Sequence, residues 1–204
     1  MKKLGSRIWG AVVGMSLAAM TPASTALAQK PAVPAAKGKA HGPFSLSSPD
    51  LVANGRITNA HVFNSFGCSG QNVSPTLSWK NAPADTKSFA LTVYDPDAPT
   101  GSGWWHWMLY NIPASETGLK AGAGAAGSAA APAGSVQGPT DFGTPGYGGP
   151  CPPAGDKPHR YIFTLHALKV AKLDIPANAT SALVGFNIHG NEIAKTSFTA
   201  RYGR

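Results

Sequence analysis

Apolar and polar side chains alternate along residues 87–94 in the pattern of a β-strand. Phe89, Leu91 and Val93 fall on one face of this stretch, so we expect that face to be buried. The stretch runs directly into the sequence DPDAP at residues 95–99, whose two prolines cannot donate hydrogen bonds to a neighbouring strand. We therefore predict a strand that ends at this turn.

Three further stretches predict strands and one predicts a helix. Residues 104–112 and 160–169 are apolar on both faces, which is typical of strands in the middle of a sheet, and residues 191–202 contain another β-prone stretch. Residues 179–188 have the best helical pattern, although Gly185 interrupts it. Together these elements predict a mainly β domain with a few short helices.

Residues 118–138 consist almost entirely of Gly, Ala and Ser. Because the segment has few large side chains that could pack in a core, we predict a flexible surface loop between strands. The segment contains no aromatic residue and no His, and Lys120 is its one charged residue. We therefore expect it to be passive in function.

The first 43 residues predict an exported protein. Residues 1–28 begin with Lys2, Lys3 and Arg7, continue through an apolar stretch of 13 residues and end in Ala-Leu-Ala, which is the order found in cleaved signal peptides. The apolar stretch is shorter than the roughly 17–25 residues of a membrane span. Residues 29–43 are rich in Pro, Ala and Lys and predict an extended linker. The domain at residues 44–204 is then expected in a bacterial periplasm or outside the cell.

The charge distribution argues against nucleic-acid binding. The chain has a formal net charge of +8, but six of its 17 Lys and Arg residues precede His41. From His41 onward 11 basic residues stand against 9 acidic ones, so we expect no basic face on the domain. The basic N-terminal tail can make at most peripheral contact with an anionic membrane, at about 1 kcal/mol for each lysine.

Cys68 and Cys151 are the two cysteines of the chain. In an exported protein such a pair favours a disulfide over a metal site, and its spacing differs from the C-x-x-C of redox enzymes. We predict a disulfide, while the cysteines alone leave the free-thiol state open. No cofactor and no metal ligands are expected.

Four short motifs lie along the domain: DPDAP at 95–99, WHW at 105–107, GPCPP at 149–153 and HRY at 159–161. Supporting matches are NVSP at 72–75, DFG at 141–143 and FTARY at 198–202. In this order the motifs resemble those of the phosphatidylethanolamine-binding protein family, and most of all its bacterial branch, which is often labelled Raf-kinase-inhibitor-like. The resemblance covers the chain from Phe44 onward.

The resemblance implies a Greek-key β-sheet or sandwich domain with a few short helices and a small cavity near the surface. In the family this cavity holds anions such as phosphate, phosphorylethanolamine or acetate, so a phosphoryl or phospholipid head group is the expected ligand. By motif position the ligand-binding residues are expected to be Asp95, His106, His159 and Tyr161, with Pro99 and Cys151 in the cavity wall.

These residue types suit a phosphate-bearing zwitterion. The two imidazoles and the Tyr161 hydroxyl can donate hydrogen bonds to phosphate oxygens, so we expect anion affinity to rise as the histidines become protonated. A carboxylate repels phosphate, and the expected tasks of Asp95 are to orient a histidine or to accept the ammonium group of ethanolamine. Cys151 stands where some relatives have a glycine, so a bridge to Cys68 would reshape this wall.

Two alternatives to a small-anion binding protein stay open. The cavity can instead capture a phosphorylated or acidic group on a partner protein, which would make the domain an inhibitor or interaction module. An Asp, two His and a Tyr can also support hydrolysis, but the sequence lacks H-E-x-x-H and a G-x-S-x-G elbow. We therefore expect no catalytic residues.

The remaining conspicuous side chains are predicted to be structural. Trp104 and its neighbouring tryptophans are expected to pack in the core and the cavity rim, because aromatic cores are commoner than cation-binding cages. Arg160 is expected to form an ion pair. His166 and His189 are expected to have structural roles, since neither lies in one of the motifs.

Overall fold

The structure of the protein, a computed structural model, describes residues 42–176 and 178–204. The predicted signal peptide at residues 1–28 and nearly all of the predicted linker at residues 29–43 lie outside these ranges. Within them, no helix is long and apolar enough to cross a bilayer.

The described residues form two antiparallel sheets and one α-helix, with a short 3-10 turn at Asn59–His61. In chain order the elements are β1 (Ser45–Ser47), β2 (Leu77–Lys80), β3 (Ser88–Asp95), β4 (Trp104–Pro113), β5 (Gly118–Leu119), β6 (Val136–Gln137), β7 (His159–Leu168), α1 (Ser181–Asn191) and β8 (Glu192–Tyr202). The smaller sheet has the strand order β1-β2-β5 and the larger β6-β4-β3-β7-β8. The mainly β fold class is confirmed, and the four strands predicted from the sequence are β3, β4, β7 and β8.

The alternation along β3 places its two faces in two different hydrophobic cores. Phe89 and Leu91 are buried in a core that also contains Trp79 of the smaller sheet. Ala90, on the opposite face, is buried in a second core together with Val184 of α1. Burying a large apolar side chain contributes about 1.5–3 kcal/mol, so both sides of the larger sheet add to its stability.

Helix α1 begins after Thr180, whose side-chain oxygen accepts a hydrogen bond from the Leu183 N–H at 3.2 Å. It covers most of the predicted helix at residues 179–188 and continues to Asn191. Gly185 lies inside the helix, where a Cβ atom would be 4.0 Å from the Trp105 ring. The sequence pattern thus predicted this helix correctly, although Gly185 lies within it.

The prediction that residues 118–138 form a surface loop is wrong in part, and their expected passive role stays a prediction. The two ends of the segment form β5 and β6 and pair with strands of the two sheets. Leu119 and Ala123 are buried in the core between the sheets. A Cβ atom on Gly124 would lie 3.0 Å from the Trp107 ring, so the small residues here allow the backbone to approach the core closely. The flexibility of the segment stays a prediction.

Three strand ends meet at one edge of the larger sheet. Asp95, the last residue of β3, pairs with Trp104, the first residue of β4, and β7 begins beside them at His159. The turn that joins β3 to β4 is tight at Gly103, where a Cβ atom would lie 2.7 Å from the Asp95 carbonyl oxygen and where φ is +68°. This edge holds the candidate site.

Candidate functional site

A cavity of about 180 Å³ opens at this edge of the larger sheet. Its lining consists of Phe66, Asp95, Ala98, Pro99, Thr100, Trp104, His106, Phe142, Cys151, Pro152, Pro153, His159 and Tyr161. The structure therefore brings together all six predicted ligand-binding residues: Asp95, His106, His159, Tyr161, Pro99 and Cys151. They come from three strand starts or ends and from two proline-rich turns.

Asp95 is a buried carboxylate with a partner on each oxygen. Its Oδ1 accepts a hydrogen bond from the Asp97 N–H at 2.8 Å, and its Oδ2 lies 2.8 Å from Nδ1 of the buried His159. The other ring nitrogen of His159 lies 3.4 Å from Oδ2 of Asp156. Asp95 thus orients a histidine, which is one of the two tasks expected of it.

Asp97, the second aspartate of DPDAP, holds the turn after β3 against β7. Arg160 donates hydrogen bonds to Asp97 from Nε at 2.9 Å and from Nη2 at 2.7 Å, and the Arg160 backbone N–H donates to the same carboxylate at 2.8 Å. The Arg160 side chain lowers the pKa of Asp97 to about 2. The prediction that Arg160 forms an ion pair is confirmed.

His106 is buried and has its tautomer set by a backbone carbonyl. Its Nδ1 lies 2.7 Å from the Gly148 carbonyl oxygen, which can only accept, so Nδ1 carries the proton. Burial disfavours the imidazolium and lowers the pKa of His106 to about 4. At neutral pH its Nε2 therefore accepts hydrogen bonds and does not donate them. This differs from the sequence-based expectation that both imidazoles donate to the anion.

The segment that carries Gly148, the partner of His106, is held in place by hydrogen bonds to another part of the chain. The Gly149 N–H donates to Oδ1 of Asn72 at 2.7 Å, and the Tyr147 hydroxyl donates to the His61 carbonyl oxygen at 2.9 Å. A Cβ atom on Gly149 would lie 2.1 Å from the same carbonyl, so only glycine fits there. The tautomer of His106 is thus set by a preformed loop.

Two buried hydrogen-bond donors of the cavity lining have no partner among the described residues: the Tyr161 hydroxyl and the Trp104 indole N–H. Burial raises the pKa of Tyr161, and the charge of the nearby Asp95 carboxylate and its weak contact with the hydroxyl raise it further, so the hydroxyl keeps its proton. Sequence analysis assigned Trp104 to packing and missed its free N–H, because a sequence carries no signal for an unpartnered donor.

Phe142 forms an aromatic wall of the cavity and was also missed. Its ring centroid lies 5.4 Å from that of Trp104, 5.2 Å from that of His106 and 4.4 Å from that of Phe63. The available signal was the DFG motif at residues 141–143, which supported the family resemblance without indicating a role for the ring.

The predicted disulfide between Cys68 and Cys151 is present, with a Cα–Cα distance of 6.0 Å. It joins the segment that carries Phe66 to the GPCPP segment, and both segments line the cavity. Arg204 links the same two segments, since it donates to the Pro152 carbonyl oxygen at 2.7 Å and to the Gly67 carbonyl oxygen at 2.9 Å. The wall in which Cys151 lies is therefore cross-linked twice.

His166 is not part of the cavity lining. Its Nδ1 lies 2.6 Å from Oε2 of Glu192 on the neighbouring strand, and Nε2 lies 3.2 Å from the Thr92 hydroxyl. These contacts fit the predicted structural role. Across residues 42–176 and 178–204, no group of three or more His, Cys, Asp and Glu side chains is placed to hold a metal ion.

Comparison with known proteins gives a consistent family match. Residues 47–203 match the family model described as phosphatidylethanolamine-binding protein. Two proteins of Escherichia coli K12, YbcL and YbhB, are each 50% identical to this chain over 159 residues, which is 78% of this chain and 87% and 99% of theirs. The crystal structure of YbcL superposes with a TM-score of 0.77 over 79% of this chain and 98% of that one. CT736 of Chlamydia trachomatis superposes with a TM-score of 0.66 at 30% identity, over 79% of this chain and 97% of its own.

Proposed function

The chain belongs to the phosphatidylethanolamine-binding protein family, and on this premise we propose that its cavity binds the phosphoryl head group of ligands such as phosphorylethanolamine. The observation that carries this proposal is the pair of unpartnered donors, the Tyr161 hydroxyl and the Trp104 N–H. An ionised phosphate oxygen accepts hydrogen bonds and cannot donate them. Phosphate therefore complements these two donors, which nothing else in the site satisfies.

The acceptors of the cavity complete the match to a zwitterion. The Asp95 carboxylate and the neutral Nε2 of His106 can accept hydrogen bonds from the ammonium group of ethanolamine. Both residues line the same cavity as the two donors. A ligand that carries a phosphate at one end and an ammonium at the other therefore fits better than phosphate alone.

The size of the cavity limits the ligand. Its volume of about 180 Å³ corresponds to roughly six water molecules at about 30 Å³ each. Drug-sized ligands occupy pockets of about 300–1,000 Å³. The cavity thus suits a head group and is too small to enclose acyl chains.

We also propose that the protein works outside the cytoplasm. The order of basic, apolar and small residues over 1–28 supports export, and the Cys68–Cys151 disulfide supports an oxidising compartment. The two alternatives from the sequence, an interaction module for a partner protein and a hydrolase, stay predictions, and the phosphate-release measurement below tests the hydrolase.

Tyr161→Phe is expected to weaken the site and leave the fold nearly unchanged. The Tyr161 hydroxyl makes no well-formed hydrogen bond to another protein group and lies beside the Asp95 carboxylate, so its removal should change the free energy of unfolding of the ligand-free protein by less than about 0.5 kcal/mol. The same change should weaken phosphorylethanolamine binding about tenfold, since a charge-assisted hydrogen bond is lost. Urea denaturation measures the first effect and isothermal titration calorimetry the second. Trp104→Phe should weaken binding by a similar factor.

Tyr147→Phe is the matched stability control. The Tyr147 hydroxyl donates to the His61 carbonyl oxygen, so its removal should lower the free energy of unfolding by about 1 kcal/mol, a loss that Tyr161→Phe should not show. Wild-type affinity in both Tyr161→Phe and Trp104→Phe would refute the proposed donors. Release of inorganic phosphate from phosphorylethanolamine, followed by ³¹P NMR, would instead establish a hydrolase.

A further inference from the structure

An open groove of about 650 Å³, the β7 groove, adjoins the start of β7. His159 lines both this groove and the head-group cavity described above, and the two linings share no other residue. Five charged residues contribute to the lining of the groove: Asp97, Asp156, Lys157, Arg160 and Arg201. The β7 groove is therefore a separate and strongly polar part of the surface.

Two arginines of this groove stand directly opposite each other on neighbouring strands. Arg160 of β7 pairs with Arg201 of β8, so their side chains leave the sheet on the same face. Like charges in this arrangement destabilise a sheet. The other edge of Arg201 is held as well, since its N–H donates to the Gly55 carbonyl oxygen and its carbonyl oxygen accepts from the Ile57 N–H, each at 2.8 Å. The backbone at Arg201 therefore cannot move away from Arg160 without breaking hydrogen bonds.

The ion pairs of the groove leave two cations unbalanced. Asp97 is engaged by Arg160, which donates to its carboxylate from both Nε and Nη2. Among residues 42–176 and 178–204, neither Lys157 nor Arg201 forms an ion pair with a carboxylate. Both residues are exposed, so a ligand from solution can reach them.

We infer that the β7 groove is a second binding site, which takes a small polyanion with carboxylate or phosphate groups at Arg201 and Lys157. A guanidinium can donate two parallel hydrogen bonds to such a group, and an ammonium adds further donors and a second charge. Two unbalanced cations favour a ligand with several negative charges over a singly charged one such as acetate. A bound polyanion also offsets the repulsion between Arg160 and Arg201. This site is distinct from the head-group cavity and goes beyond the proposed function.

Asp156 is the one carboxylate of the groove that opposes such a ligand. It lines the groove, and its Oδ2 lies 3.4 Å from Nε2 of His159 and forms no ion pair with an arginine or lysine of the described ranges. Its negative charge repels an anion, so Asp156→Asn should strengthen polyanion binding about threefold. Asparagine has nearly the same shape as aspartate, and the change therefore alters mainly the charge of the groove.

The direct test is a ¹H–¹⁵N NMR titration of the wild-type protein with citrate, pyrophosphate and acetate. Citrate and pyrophosphate should shift the Arg201 Nε–H signal and the Lys157 amide signal with dissociation constants of about 1 mM, and acetate should bind at least about tenfold more weakly. Raising the ionic strength from about 0.01 M to about 0.15 M should weaken binding severalfold, because the screening length falls from about 30 Å to about 8 Å. The tighter of the two polyanions identifies the preferred group, and either one supports the site. The Trp104 indole signal reports the head-group cavity separately.

A double variant removes the two unbalanced charges. Arg201→Gln with Lys157→Gln should weaken citrate binding about tenfold, at about threefold for each exposed contact, and leave phosphorylethanolamine affinity within about twofold. Lys80→Gln with Lys172→Gln, at two exposed lysines outside the groove, removes the same net charge and should keep citrate affinity within about twofold.

Stability separates a binding arginine from a structural one. Arg201→Gln removes one member of the opposed arginine pair, so the free energy of unfolding of the ligand-free protein should stay the same or rise. A fall in stability together with unchanged citrate affinity would show that Arg201 serves the fold alone.

Equal citrate affinity in the groove double variant and in its matched control would overturn the second site. Acetate binding as tight as that of citrate would overturn it too, as would shifts confined to the Trp104 indole, which would assign the anion to the head-group cavity. Citrate binding at the groove without phosphorylethanolamine binding at the cavity would support the second site and overturn the proposed function alone.

Discussion

Replacing both Cys68 and Cys151 by Ala should lower the free energy of unfolding by about 4 to 5 kcal/mol, the largest effect we expect from any change outside the core. The two cysteines are 83 positions apart, so the bridge closes a long loop in the unfolded chain and lowers its conformational entropy. Such a loss is a large fraction of the stability of an ordinary domain, which is about 5–15 kcal/mol.

Urea denaturation with and without a thiol reductant measures this effect. The transition of the wild-type protein should move to lower urea concentration when reductant is present, and that of the double variant should not move. Phosphorylethanolamine affinity should also fall in the double variant, because Cys151 and Phe66 lie in the cavity wall on opposite sides of the bridge. If the wild-type transition stays at the same urea concentration when reductant is added, the disulfide does not stabilise the fold as expected.

Between about pH 7 and pH 4, the burial of His106 should remove about 3 kcal/mol from the free energy of unfolding. Its pKa is lowered from 6.5 to about 4 because burial disfavours the charged ring. As the pH falls through 6.5, His106 binds a proton in the unfolded chain, whereas in the folded chain it does not bind one until about pH 4. The unfolded state therefore binds more protons in this window, so stability rises with pH from about 4 to 6.5 and is then unaffected by this group.

His106→Asn isolates the effect. Asparagine keeps an N–H donor for the Gly148 carbonyl oxygen but does not titrate in this range, so the variant should lose the His106 share of the pH dependence. His189→Asn, at an exposed position of α1, should retain it. Parallel stability curves for wild type and His106→Asn across the window would show that His106 is not buried as a neutral ring. NMR titration of the His106 ring should place its pKa near 4.

Much of the fold could be predicted because the pattern is local. Alternation along β3 and the apolar runs of β4 and β7 indicated strands, and the structure places them at the centre of the larger sheet. The segment at residues 118–138 could not be interpreted in the same way. Its small residues enter the core by close backbone approach, and that contact depends on Trp107, which is distant in the sequence.

The candidate site was predictable as a set of residues and not as a set of protonation states. Asp95, His159 and Tyr161 lie in motifs, and the structure brings them into one cavity. The donor or acceptor role of His106 depends on the Gly148 carbonyl oxygen, 42 positions away, and on burial. The unpartnered Trp104 N–H likewise became visible only when all its neighbours were placed.

We propose that the Trp104 and Tyr161 donors receive a phosphoryl group, and a ¹H–¹⁵N NMR titration of the indole N–H signals with phosphorylethanolamine tests this directly. The Trp104 signal should move progressively downfield as its N–H gains an acceptor. The indoles of Trp79 and Trp107 already donate to Glu116 and Gln137, at 2.9 and 2.8 Å, so their signals should stay in place. A Trp104 signal that does not move at millimolar ligand would contradict the account.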